Sequence, residues 1–477
     1  MGDQAKLLKN MSIYTVGNSL TQIMAFILIP LYSIYLKPDD YGITSAMSLF
    51  ANFALIIITL SLDRSIYRCY FDYKSEENKK IFLGTITISL FVITSFFVIL
   101  MLLYSKYLGL IFKSISFYPY YLLTISSLYI SVYYKICITY YRITEQSKKF
   151  VLMTLSYFII QTVFIIIFVV FLKKGAEGKL IGSLIANIVF LPIVLFIIVR
   201  NVTLKFKYYM FKSALAYSLP VIPVLLSAFV LNLSDRIFIE KYYTLSEVGI
   251  YSMGYKLAGF LSIIGAGFYG AYNPMFFRIA NFEKKKKSLL YIINNQYIIL
   301  TFIIYFIVFL FAEDIFRIML DSKYYEAHKI FQLIIIGNVF NTAFSILNVS
   351  FSQDKKMVTM MLIVIGGATM NFGLNFLLVP KYGMYGAAYA TTLSFAVLGF
   401  VKYIFARNYY FIPWQWRNIT FYVLISISLY LVFGLLSSGN IPYDFFLKVI
   451  LVGLLITVYV FKHKASLLEL SALKINK

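Results

Sequence analysis

Cysteine and histidine are almost missing from this chain: its 477 residues hold two of each, Cys69, Cys137, His328 and His463. Without a CxxC pair, neither a disulfide framework nor a cysteine metal site is available. Two isolated histidines supply no His-based metal centre and no catalytic triad. Charge is scarce too, at 13% of residues, against about a quarter in a soluble domain. Hydrophobic residues make up 61% and mean hydropathy is +0.82. A soluble fold of that composition would not cover its own surface with polar groups, so the expected solvent is lipid.

A helix needs about 20 apolar residues to cross a bilayer. Fourteen such runs are present, from Met11–Leu36 and Ile43–Ser65, through Phe117–Tyr140, Ser213–Tyr242, Val248–Ala271, His328–Phe351, Val358–Val379 and Met384–Phe405, to a shorter last pair, Ile419–Leu436 and Phe445–Phe461. Barrel strands would alternate polar and apolar residues over about ten positions; these runs are continuous and longer. The expected fold is all-α and integral to the membrane, with about 14 transmembrane helices. The first run is too long for a cleaved signal peptide.

The net charge of +23 invites a nucleic-acid reading, but the basic residues sit in small groups between apolar runs. With the N-terminus inside, 29 of the 43 lysines and arginines fall on the inner side and 13 on the outer, while the acids split 9 and 11. That asymmetry is the positive-inside pattern. It predicts both termini in the cytoplasm and no nucleic-acid partner.

The chain also repeats itself. Asp40-Tyr41-Gly42-Ile43 follows the first run and Glu247-Val248-Gly249-Ile250 the seventh, 207 residues on; Gly175 and Gly178 recur as Gly383 and Gly386, 208 residues on. Two six-helix lobes, 1–205 and 206–410, are expected, with two added helices and a tail over 411–477. Six is even, so the repeats run parallel across the membrane. Such duplicated transporters place their substrate site between repeats and rock around it.

Charges inside a bilayer are costly unless they face water or a partner. The repeat offset puts Asp235 and Arg236 about two turns inside span seven, and Lys256 lies about as deep in span eight. They line a cavity, or they lock helices together. Asp63, Arg64 and Arg68 end span two, with Arg64 and Arg68 on one helix face. These arginines receive an anionic headgroup or reach toward phospholipid phosphates; for Lys135, in span four, the lipid reading is preferred. Asn338, Asn341, Ser345, Asn348 and Ser352 share a face of span ten, as Asn371 and Asn375 do in span eleven. Such stripes bind sugar hydroxyls or join helices. Gly265-Ala-Gly267-Phe-Tyr-Gly270 matches GxGxxG but lies inside an apolar helix, without the strand that a nucleotide site needs. Pro30 predicts a bend in span one, and Pro220 with Pro223 a bend in span seven, the matching first spans of the two lobes.

Tyr217-Ser-Leu-Pro220-Val-Ile-Pro223, Asn232-Leu-Ser234-Asp235-Arg236-Ile237 and Val248-Gly-Ile-Tyr-Ser252, with Tyr41-Gly42 and Tyr141-Arg142, resemble Wzx-type polysaccharide flippases of the MATE-like multidrug/oligosaccharidyl-lipid/polysaccharide exporter superfamily. The resemblance covers essentially the whole chain. It implies a V-shaped, two-lobed bundle in a bacterial inner membrane. Such a protein moves undecaprenyl-pyrophosphate-linked oligosaccharide units to the periplasmic leaflet for O-antigen, lipopolysaccharide or capsule synthesis, beside a polysaccharide polymerase and a chain-length regulator. Asp235 and Arg236 match that family's motif. No cofactor is expected; with no ATP-binding motif, an H+ or Na+ gradient is the expected drive. A cation antiporter of the same superfamily would carry carboxylates in the first lobe, and span one has none. A peptidoglycan-precursor flippase would carry basic residues there, and Met11–Leu36 has none. A membrane polymerase would need a catalytic loop, which the stretch from Glu313 to Ala327 does not resemble.

Overall fold

The computed structural model describes residues 3–109, 111–280, 284–409 and 413–472, nearly all as α-helix, with no strand among the described residues. In lipid, backbone N–H and C=O groups must be paired within the segment, and a helix does this without a partner. The apolar runs accordingly fold as helices, and the chain is an all-α membrane protein. Among the described residues, twelve helices are long and apolar enough to cross a bilayer. Met357–Ala406 counts as one, although its 50 residues are twice a span; it breaks at Gly383 (φ +56°, ψ −135°), between the two runs expected there. The first expected run lies in the helix Asp3–Tyr35, of which the apolar part described is Leu20–Tyr35.

Span seven is interrupted at Pro220, whereas Pro30 stands inside the unbroken helix Asp3–Tyr35. Tyr208–Ser218 stops before Pro220, Val221–Leu233 follows, and Asp235–Tyr242 resumes after Ser234. Proline lacks the N–H that would continue the ladder and crowds the preceding turn.

Contacts group the chain into two units, Met1–Met253 with Ala368–Ala387, and Gly254–Gly367 with Ala388–Lys477. This grouping by contact is distinct from the grouping by repeat, whose boundary at residue 410 lies outside the described residues. In the first unit, the two repeat landmarks touch reciprocally. A Cβ added to Gly42 would stand 2.0 Å from the Leu245 carbonyl oxygen, and one added to Gly249 would stand 2.0 Å from that of Pro38. No other residue fits at either position. The neighbouring acids match as well: the Ala176 N–H donates to Asp40 Oδ1 at 3.0 Å, beside Gly175, and the Glu247 carboxylate lies against Gly383. Some polar side chains inside this unit join helices. The Tyr157 hydroxyl donates to Asn187 Oδ1 at 3.0 Å, and the Asn187 amide donates to Ser127 Oγ at 2.7 Å.

In the second unit, the Lys448 ammonium donates to Asp314 Oδ2 at 2.5 Å, beneath Phe433, with both side chains largely buried. This pair ties the last helix, Ile441–Ala472, to the short helix Ala312–Met319. Lys448→Ala leaves a buried carboxylate uncompensated and is expected to cost about 3–5 kcal/mol. Lys448→Met with Asp314→Leu should recover most of the loss. Thermal unfolding of the detergent-solubilised protein checks both; equal loss in the single and double variants would mean that the ion pair is not the cause.

Candidate functional site

The end of span two builds the site. Pro38–Ile58 closes through Thr59, whose hydroxyl donates to Leu55 O (2.7 Å) and accepts from the Ser61 N–H (3.2 Å). Leu60 and Ser61 then both take left-handed backbone angles (φ +46° and +54°), a conformation that residues with a Cβ rarely adopt. The strained corner turns the chain into the helix Leu62–Cys69. It leaves the Ser61 hydroxyl buried without a hydrogen-bond partner among the described residues. Strain of this kind clusters at functional positions.

Asp63 and Arg64 occupy the first turn of that helix and open on a cavity of about 340 Å³. Lys135 faces the same cavity from the Phe117–Ile143 span, and Asn52, Thr59, Ser61 and Asn232 complete its polar lining. The apolar lining comes from span two, through Leu55 and Ile56, and from span seven, through Leu225, Ala228, Phe229 and Leu233. All of these residues belong to the first unit. The Arg64 guanidinium lies 3.9 Å from the Asp63 carboxylate, a loose contact rather than a hydrogen bond. Lys135 makes no ion pair among the described residues, although Asp63 and Arg64 both stand close enough to act on its charge. Two cations, one carboxylate, hydroxyls and amides share a space within the roughly 300–1,000 Å³ typical of small-molecule pockets. Groups of this kind bind an anion through charge-assisted hydrogen bonds.

Of the residues singled out from the sequence, Arg64 lines this cavity. Arg68 is exposed and pairs with Asp72 four residues on, whose carboxylate raises the guanidinium's affinity for its proton. Asp235 is wholly buried: the Tyr251 hydroxyl donates to it at 2.5 Å and the Asn375 amide at 2.8 Å. Arg236, 5% exposed, donates to Asn232 O at 2.8 Å and lies over the Tyr251 ring. The two side chains therefore hold spans seven, eight and eleven together, and Arg236 grips the backbone of a cavity residue. Lys256 is half-buried in the second unit, as are Asn341 and Asn348; the Asn338 amide donates to Ala258 O at 3.2 Å and joins spans ten and eight. Lys135, for which the sequence favours lipid phosphates, lines the cavity, as do Asn52 and Ser61, which no sequence pattern marks, and Asn232, which the family motif contains without giving it a role. No sequence signal pairs span four with the end of span two. Among the described residues, no group of three or more His, Cys, Asp or Glu could hold a metal ion.

Residues 7–280 match the family described as "Polysaccharide biosynthesis protein". "Lsg locus putative protein 1" of Haemophilus influenzae is 24% identical over 74% of this chain and 86% of its own length. An "Uncharacterized membrane protein" of the same species is 25% identical over 54% of this chain and 62% of its own. Among solved structures, the lipid II flippase MurJ in an inward closed conformation aligns with a TM-score of 0.74 at 16% identity, over 94% of this chain and 99% of that one. An inward-facing MATE multidrug resistance transporter of the MOP superfamily aligns with a TM-score of 0.64 at 13% identity, over 83% of this chain and 97% of that one. These likenesses establish the fold, and the family match covers more than half of the sequence: the chain belongs to the polysaccharide biosynthesis protein family, on the membrane-transporter fold of MurJ and the MATE exporters.

Proposed function

We propose that this protein is a flippase that carries undecaprenyl-pyrophosphate-linked oligosaccharide units from the cytoplasmic to the periplasmic leaflet of a bacterial inner membrane, supplying O-antigen, lipopolysaccharide or capsule assembly. The observation that carries this reading is the cavity that Arg64 and Lys135 line together with Asn52, Thr59 and Asn232. A pyrophosphate with its sugars has to leave water and cross about 30 Å of hydrocarbon. Bare, it would not cross; beside two cations and a set of hydroxyls and amides, it exchanges water for charge-assisted hydrogen bonds. The lipid tail stays in the bilayer.

The transport cycle is alternating access between two lobes, 1–205 and 206–410. The Gly42–Gly249 contact closes one end of span two, and the cavity begins at Asn52, ten residues or about 15 Å along the same helix. With the N-terminus inside, the closed end faces the periplasm and the open end the cytoplasm. Asp235 and Arg236 serve the cavity from behind, by fixing the part of span seven that carries Asn232. Arg68 adds positive potential near the inner surface. Lys256, Asn341 and Asn348, with Asn338 joining their helices, are proposed contacts of the second lobe. A gradient of H+ or Na+ drives the cycle, and a polymerase with its chain-length regulator consumes the product.

A drug or cation antiporter fits less well, because the cavity's cations outnumber its carboxylate. A lipid II carrier would use the same phosphate chemistry; the family match favours a polysaccharide unit. Deleting the gene tests the reading: lipid-linked oligosaccharide should accumulate on the inner leaflet while surface polysaccharide disappears. Normal surface polysaccharide after deletion would refute it.

A further inference from the structure

Asp63 is the one acid among the residues lining the cavity. An acid is unhelpful to an anion site that only has to bind tightly, since it repels the ligand and occupies the cations. Its geometry suits another task. The carboxylate is largely shielded (16% exposed), whereas the Arg64 side chain is half-exposed (51%), and the 3.9 Å between them exceeds hydrogen-bonding range. The attraction is Coulombic, so no hydrogen bond has to break before Arg64 turns to another anion. Asp63 also stands close enough to act on the charge of Lys135. The strained corner at Leu60–Ser61 fixes the acid in the first turn of an eight-residue helix, where the helix dipole favours negative charge.

We propose that Asp63 is a resident counter-anion that governs release of the phosphate headgroup. In the empty cavity it offsets one of the two positive charges that Arg64 and Lys135 bring. An arriving phosphate displaces it electrostatically and gains the two cations. As the headgroup departs, Asp63 recaptures the cations. Binding is thereby held weak enough for turnover, since affinity that is retained through the whole cycle slows release without speeding passage. This inference rests on the proposed function and assigns one further residue of the same site.

The test is calorimetric titration of the purified protein with inorganic pyrophosphate, alongside surface polysaccharide in cells. Asp63→Asn should bind pyrophosphate about tenfold more tightly than wild type, yet support less surface polysaccharide at normal protein level. Asp63→Glu keeps the charge and should behave as wild type. A residue with a merely structural role would not tighten binding when replaced. If the Asn variant fails to insert, Asp63→Ser replaces it. Unchanged or weaker pyrophosphate binding in the Asn or Ser variant, with binding weakened by Arg64→Ala, would overturn the counter-anion and leave the cavity standing. No change with Arg64→Ala or Lys135→Ala would overturn the cavity itself.

Discussion

Replacing Arg64 and Lys135 together by alanine is expected to abolish surface polysaccharide while the protein stays at its normal level in the membrane. A hydrogen bond to a charged partner contributes about 1.5–3 kcal/mol. Losing one from each cation removes about 3–6 kcal/mol, or roughly two to four orders of magnitude in headgroup affinity. Neither side chain builds the fold: Arg64 is half-exposed with a loose partner, and Lys135 makes no ion pair among the described residues. The single variants should fall between the double variant and wild type. Arg64→Lys should recover part of the loss, because an ammonium keeps the charge but not the two-pronged grip on phosphate. Measuring surface polysaccharide against membrane protein level decides the matter. Full polysaccharide in the double variant would remove the cavity from the mechanism.

Gly42→Val should be nearly as damaging, for a steric reason. Even the first added carbon would sit 2.0 Å from the Leu245 carbonyl oxygen, far inside van der Waals contact. The backbones of spans two and eight must then separate. Overpacking of this kind costs about 1–3 kcal/mol, enough to shift a balance between two conformations by roughly five- to 150-fold. With the contact held open, the cavity should become accessible from the periplasm. A cysteine placed at Asn52, in a background lacking Cys69 and Cys137, would report this by labelling with an impermeant reagent from outside. Gly249→Val should do the same through the Pro38 carbonyl. Unaltered labelling and normal polysaccharide in both variants would mean that the contact does not gate the cavity.

The membrane architecture was legible because lipid leaves a chain few options. A run of about 20 apolar residues has to be a helix, and Pro220 has to interrupt one. The glycine landmarks were legible as a spacing, but their meeting was not, since an offset of 207 residues does not say that Gly42 and Gly249 touch. The cavity was half legible. Arg64 could be found from its place at the end of span two. Lys135 could not, because which helix faces which is decided by packing between segments more than 70 residues apart. Asp235 drew attention as a charge in lipid, and both readings of it were open. Its contacts with Tyr251 and Asn375 come from two other spans, and no local pattern encodes them.

Transport in a defined bilayer follows passage of the headgroup itself. The protein is reconstituted into vesicles with an undecaprenyl-pyrophosphate oligosaccharide carrying a fluorescent sugar, and the label in the outer leaflet is quenched by an impermeant reagent. Wild type should expose the inner-leaflet label to quenching, and the Arg64→Ala, Lys135→Ala double variant should leave it protected, as in protein-free vesicles. Equal quenching by the two proteins would contradict passage of the headgroup through this cationic cavity.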